Sequence, residues 1–188
     1  MAQIGLKKLH FVELIEDTNE VLTYGEVQKL SGAINATINP AVNTQELYAD
    51  DQLWDSVSSL GKIDVEIETA DLPLKLRAKL TGSKMEDGVL VEKATDSPPY
   101  IALGFKSQKS NGEYRYVWLL KGVAQPMAED YSTKTENIEH RTPRLTLVFM
   151  PRTFDGEWKR TADESSDEPT VGETWFDKVP GDTENNFE

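Results

Sequence analysis

The chain has 188 residues, 33 acidic against 20 basic, for a net charge of −13, and it contains no cysteine. That charge opposes the counterion release behind most tight nucleic-acid binding, and the missing cysteines exclude disulfides and thiolate metal sites. The apolar runs, such as Val117 to Leu120 and Leu145 to Met150, fall far short of the roughly 20 residues of a spanning helix, and the opening MAQIGLKKLHFVEL is too polar for an export signal, so the expectation is a soluble protein made in a reducing cytosol, with no membrane contact.

In chain order, Leu9 to Ile15 and Val21 to Tyr24 flank the turn formers Glu16 to Glu20 and read as a hairpin. Ser31 to Ile38 alternates Ile34, Ala36 and Ile38 against Asn35 and Thr37, a second strand that Asn39-Pro40 is expected to end. Pro40 to Ser59 reads as a long polar excursion, within which Thr44 to Tyr48 can return as a strand. Lys62 to Glu68 is the cleanest strand, with Ile63, Val65 and Ile67 on one face and Lys62, Asp64, Glu66 and Glu68 on the other.

Asp71 is placed to cap a helix over Leu72 to Leu80, with Pro73 in its first turn and Gly82 as its stop. Strand character returns at Gly88 to Val91, and Tyr100 to Lys106 and Glu113 to Lys121 flank the hairpin signal Ser110-Asn111-Gly112. On the second of these strands Tyr114, Tyr116 and Trp118 share one face, and Val117 and Leu119 share the other. Glu129 to Asn137 and Pro143 to Met150 are further strand candidates.

Eight to ten short strands and one helix predict a mainly β protein, an antiparallel β-sandwich or barrel with a flanking α-helix, plus an extended C-terminal arm. The division expected is a β-sandwich domain over 1–152, with a long loop at about 40–59, and an acidic arm over 153–188. From Thr153 onward there are 11 carboxylates against three basic residues, so −8 of the −13 lies there. Trp158, Trp175 and Phe176 are the expected anchors of that arm.

Catalytic constellations are sparse. His10 and His140 have no metal-ligand spacing partner, and no phosphate-cradling glycine motif occurs. Asp50, Asp51 and Asp55 lack the spacing of a calcium loop, and Glu66 and Glu68, with Asp64, read as a solvated strand face rather than a glycosidase pair. No enzyme, cofactor or metal is expected. The stripe Tyr114, Tyr116, Trp118 can serve as a stacking platform for sugars or bases, although core or subunit interface is the favoured reading.

Several segments together resemble the phage major tail proteins of the phi13 type: Ile4-Gly5-Leu6-Lys7, Leu47-Tyr48-Ala49-Asp50-Asp51, Asp71-Leu72-Pro73-Leu74, Pro98 to Ser107, Lys109 to Leu119, Trp158 with Thr161-Ala162-Asp163, and Thr174-Trp175-Phe176. The similarity implies a non-catalytic tail tube subunit of a siphophage with a flexible, non-contractile tail, assembled in the host cytoplasm. It implies homohexameric rings, stacked around a tape-measure protein into a tube through which DNA passes without being held. Tail terminator, distal tail proteins and a tail assembly chaperone are further implied partners.

On that reading Asp64, Glu66 and Glu68 are candidates to face the lumen, where carboxylates repel phosphate over a range of about 8 Å. Leu47, Tyr48, Asp50, Asp51 and Trp54 are candidates for a contact between rings, because a long loop with one large anchor suits a neighbour better than its own core. The arm is expected to dock on a neighbour through its aromatic anchors or to keep the outside soluble. A non-catalytic carbohydrate-binding β-sandwich and the inner-tube protein of a type VI secretion system are the alternatives.

Overall fold

A computed structural model describes residues 2–129, 131, 133, 142–164 and 172–183. Its strands are β1 (Gln3–Asp17), β2 (Leu22–Tyr24), β3 (Gln28–Leu30), β4 (Ala33–Ala49), β5 (Gln52–Thr69), β6 (Lys84–Glu86), β7 (Val89–Val91), β8 (Tyr100–Lys109), β9 (Tyr114–Ala124), β10 (Arg144–Phe149) and β11 (Lys159–Asp163). One helix, α1 (Leu74–Thr81), and a 3₁₀ turn (Glu173–Phe176) complete them. His140 and most of the 129–137 strand candidate lie outside the described residues.

Nine of the strands form one antiparallel sheet in the order β2-β1-β8-β9-β10-β5-β4, with β3 also on β1 and β11 also on β9; β6 and β7 pair separately. The sheet curls without closing into a barrel, so Leu9 and Phe11 of β1 share a core with Ile63, Val65 and Ile67 of β5, four strands away. Leu103, Phe105, Leu119, Leu145, Leu147 and Phe149 fill that concave face, and Leu76 and Leu80 of α1 cover it. The architecture is mainly β and sandwich-like, as the alternation predicts.

The convex face carries the other half of each alternating strand: Val12 and Leu14 of β1, Ala102 of β8, and Tyr116, Trp118 and Leu120 of β9. Trp118 is wholly buried there, its ring over Gly104 of the adjacent strand, where a Cβ would come within 2.8 Å of three ring carbons. Glycine at 104 is therefore the floor the indole needs. Gly122 gives Phe149 the same room on the opposite face.

Three local expectations are corrected. The helix starts at Leu74, with Pro73 at its N-cap and no side-chain cap, so Asp71 does not cap it. Proline forces the preceding residue out of the helical region, and its carbonyl accepts the first turn's bonds from Leu76 and Arg77. Gly82 does stop the helix, with φ +71°.

Asn39-Pro40 does not end the second strand. β4 runs on to Ala49 because it pairs only with β5, and a proline without an N–H is tolerated on an edge strand. The 40–59 segment is accordingly no irregular loop: it is the outer part of a β-hairpin whose second strand extends back to Gln52.

Candidate assembly interface

Only the base of this hairpin belongs to the body of the sheet. β5 bonds β10 from Ile63 to Glu68, and a bulge at the Gly61 level then shifts the register from Pro40↔Ile63 to Val42↔Leu60. Beyond it the two strands pair with each other alone, from Val42↔Leu60 to Ala49↔Gln52. At about 3.3 Å per residue, the ribbon from Pro40 to Asp50 reaches about 35 Å.

Its apolar groups have nowhere to go. Val42, Leu47, Tyr48, Leu53, Val57 and Leu60 are all exposed, and Trp54, the extra residue of a second bulge between Leu47↔Asp55 and Tyr48↔Leu53, is 71% exposed. A lone two-stranded ribbon is marginal in water. Burying these seven side chains against a partner is worth on the order of 10 kcal/mol, at about 1.5 kcal/mol each.

Asp50 and Asp51 form the tip. Both have positive φ, +52° and +61°, as a two-residue type I′ connection requires, and Asp is one of the few residues that accepts this region. Glu46 accepts a hydrogen bond from the Tyr48 hydroxyl at 2.8 Å, while Asp55 caps the Ser56 N–H at 2.8 Å. The structure thus brings Leu47, Tyr48, Asp50, Asp51 and Trp54 together at one end of one projection.

Asp64, Glu66 and Glu68 lie on the convex face of β5, opposite Asn39, Thr37 and Asn35 of β4 and Val148, Thr146 and Arg144 of β10. Lys62 reaches Asp64 at 3.0 Å, and Thr142 donates to Glu68. Glu66 is exposed between them. The result is a polar patch where the convex face is uncovered.

At the other end of that face the C-terminal segment covers the sheet. Phe176 is buried between His10, stacked at 4.7 Å, Tyr116 at 6.0 Å and Trp118 at 5.8 Å, and the Trp118 indole N–H donates to the Trp175 carbonyl at 2.9 Å. Trp158 packs at the edge of the concave core, directly before β11, which pairs with β9. Trp158, Trp175 and Phe176 therefore contact this chain's own sheet. Of the aromatic stripe, Tyr116 and Trp118 are core and Tyr114 is half-buried at its end.

Sequence reasoning missed the hub beneath this cover. Arg152 has a fully buried guanidinium that donates to Asp155 through two nitrogens, to Glu157 at 3.3 Å, to the Tyr24 hydroxyl at 3.3 Å and to the Pro180 carbonyl at 2.9 Å. Burial pushes the Tyr24 phenol up to about 12 despite the adjacent Arg152, and its hydroxyl donates to the Leu120 carbonyl at 2.7 Å. Close by, Asp17 takes Lys121 at 2.6 Å and the N–H groups of Thr153 and Phe154. Burial raises its pKa, but these bonds together outweigh it and leave the carboxyl below its ordinary value. A lone arginine before a proline-free turn carries no sequence signal for such a role.

Among the described residues no three His, Asp or Glu side chains gather to hold a metal, and no helix is long and apolar enough to cross a membrane. The surface features are those of a subunit built to join others, and the model of one protein family, described as phage tail tube protein, matches residues 2–179. The chain belongs to the phage tail tube proteins. No curated protein matches it. Membership of this tail tube family makes it a structural subunit of the virion tail and bears out the resemblance to phage major tail proteins. Among the described residues, the ribbon gathers seven exposed large apolar side chains of this tail tube subunit on one projection.

Proposed function

We propose that copies of this tail tube protein form hexameric rings, and that the rings stack around a tape-measure protein into a tube that conducts DNA during ejection. The observation that carries the reading is the β4–β5 ribbon, seven large apolar side chains on a projection of about 35 Å with no core of its own. An adjacent ring is its partner, reached through Leu47, Tyr48, Asp50, Asp51 and Trp54. The tail is the flexible, non-contractile kind, assembled in the host cytoplasm with a chaperone and completed by terminator and distal tail proteins.

Asp64, Glu66 and Glu68 face the lumen on this reading. Carboxylates there keep DNA off the wall through repulsion that decays over about 8 Å at physiological salt. The 1–152 sandwich forms the wall, and the 153–188 region supplies the outer acidic surface. A carbohydrate-binding role has little support, since Phe176 covers the aromatic stripe that such a module would present.

The test replaces residues 41–60 with an Asn-Gly turn between Pro40 and Gly61 and images the purified protein by electron microscopy. Folded monomers or single rings are expected where the parent forms tubes. Tubes of full length from the shortened chain would refute the reading, and a density map with Glu66 on the outer surface would remove the lumen assignment.

A further inference from the structure

Lys7 of β1 and Lys106 of β8 stand directly opposite each other on paired strands, both on the convex face. Like charges in that relation destabilise a sheet. Neither lysine is in an ion pair with a carboxylate among the described residues; the Lys106 ammonium lies 4.0 Å and the Lys7 ammonium 5.6 Å from the centre of the Tyr114 ring, and Lys7 also donates to Gln108 at 3.3 Å and to the Tyr114 hydroxyl at 3.4 Å. Two cations gathered on one half-buried aromatic ring form a seat for an anionic group with an apolar or aromatic companion.

The chain carries such a group. From Ser31 to Gly61 there are four carboxylates, Glu46, Asp50, Asp51 and Asp55, and no lysine or arginine. The ribbon concentrates them at a tip that also presents Tyr48 and Trp54, and among the described residues neither Asp50 nor Asp51 is in an ion pair. The tip is exposed. We propose that the acidic, aromatic tip of one subunit's ribbon docks on the Lys7–Lys106–Tyr114 seat of another copy, the carboxylates of Asp50 and Asp51 lying between the two ammonium groups. This rests on the ribbon being an assembly contact and names the surface that receives it.

Such a contact is heterologous, tip on one copy and seat on the next, and so propagates without exhausting itself. It is also partly electrostatic and partly apolar. Salt weakens the first part within a Debye length of about 8 Å at physiological strength and leaves the second.

The test measures the protein concentration needed for assembly, by sedimentation and electron microscopy, across a range of NaCl, with circular dichroism confirming that each variant folds. Asp50→Asn with Asp51→Gly removes both charges while giving the type I′ turn its preferred residues, so the hairpin itself is not weakened. The expected result is a rise of about tenfold in the assembly concentration and a flatter salt dependence, the scale of two screened ion pairs. Lys7→Glu with Lys106→Glu should do the same or more, and joining it to Glu46→Lys with Asp55→Lys, which reverse the charge beside the tip without placing lysine at its two positive-φ positions, should recover assembly.

Unchanged assembly of the Lys7→Glu, Lys106→Glu variant, in a protein that the ribbon deletion does disable, would overturn the seat and leave the ribbon contact standing. Unchanged assembly after the deletion itself would overturn both. Rescue of the lysine variant by Asp167→Lys with Glu168→Lys, rather than by the tip, would assign the seat to carboxylates elsewhere in the chain. Lysine-dependent retention of duplex DNA by the parent protein would assign it to phosphate.

Discussion

Replacing Arg152 by Met removes the guanidinium but keeps much of its volume. The structure then leaves the Asp155 carboxylate without its buried cation, and the Tyr24 hydroxyl and the Pro180 carbonyl without a donor. Breaking a buried charge set from one side costs about 3–5 kcal/mol. In a chain of this length each kcal/mol moves Tm by about 2–4 °C, so the expected loss is roughly 6–20 °C.

Arg152→Lys should fall between, because an ammonium keeps the charge but cannot span Asp155, Tyr24 and Pro180 at once. Thermal unfolding gives the magnitude, and hydrogen exchange over 172–183 gives the mechanism, since Pro180 and Gly181 lie against the guanidinium. A loss under about 2 °C for Arg152→Met, with protection of that segment unchanged, would refute the hub.

Gly104→Ala puts a methyl against a rigid, fully buried indole and should cost about 1–3 kcal/mol, read in a denaturation curve, with loosened Trp118 and Trp175 seen in fluorescence. Asp163 is held far below the ordinary carboxylate range, first by Arg115 and then by Lys109 against the opposing effect of burial. Its folded value is depressed, so its contribution is complete above about pH 4 and is lost as pH falls through the folded value; Asp163→Asn should flatten the Tm profile below pH 4. His10 is lowered chiefly by burial, with Lys29 and Lys8 adding to it and the Lys8 carbonyl opposing. It faces Phe176, Lys8, Lys29, Glu26 and Asp177, and its contribution is present above about pH 6.5 and fades on acidification, so Trp175 fluorescence should shift below pH 6 in the parent and not in His10→Phe.

Alternation carried most of the fold. Ile63, Val65 and Ile67 against Asp64, Glu66 and Glu68, and Val117 and Leu119 against Tyr116 and Trp118, sort onto the two faces as their period of two requires. The 40–59 segment was opaque for the same reason: with neither face buried, nothing selects apolar residues at alternate positions, and Thr44, Ser58 and Ser56 blur the pattern. Asn39-Pro40 misled because proline stops a central strand but not an edge, and which strand is an edge is a long-range fact.

The candidate site was half legible. The anchor residues of the ribbon stood out as large groups in a polar stretch, whereas Lys7 and Lys106, about 100 positions apart, become neighbours only through the β1–β8 register. Arg152 and Pro180 meet for a like reason. Distance along the chain hides any pairing that the sheet creates.

The two bulges in β5 have a consequence for how such a subunit can change. Each resets the pleat, so a substitution or a shift in the outer hairpin is not transmitted to the side-chain phase at Ile63 and beyond. The projection is modular: it could be swapped, lengthened or recoded as a unit while the body keeps its packing. A tube made from such parts can revise what each subunit grips without rebuilding the wall.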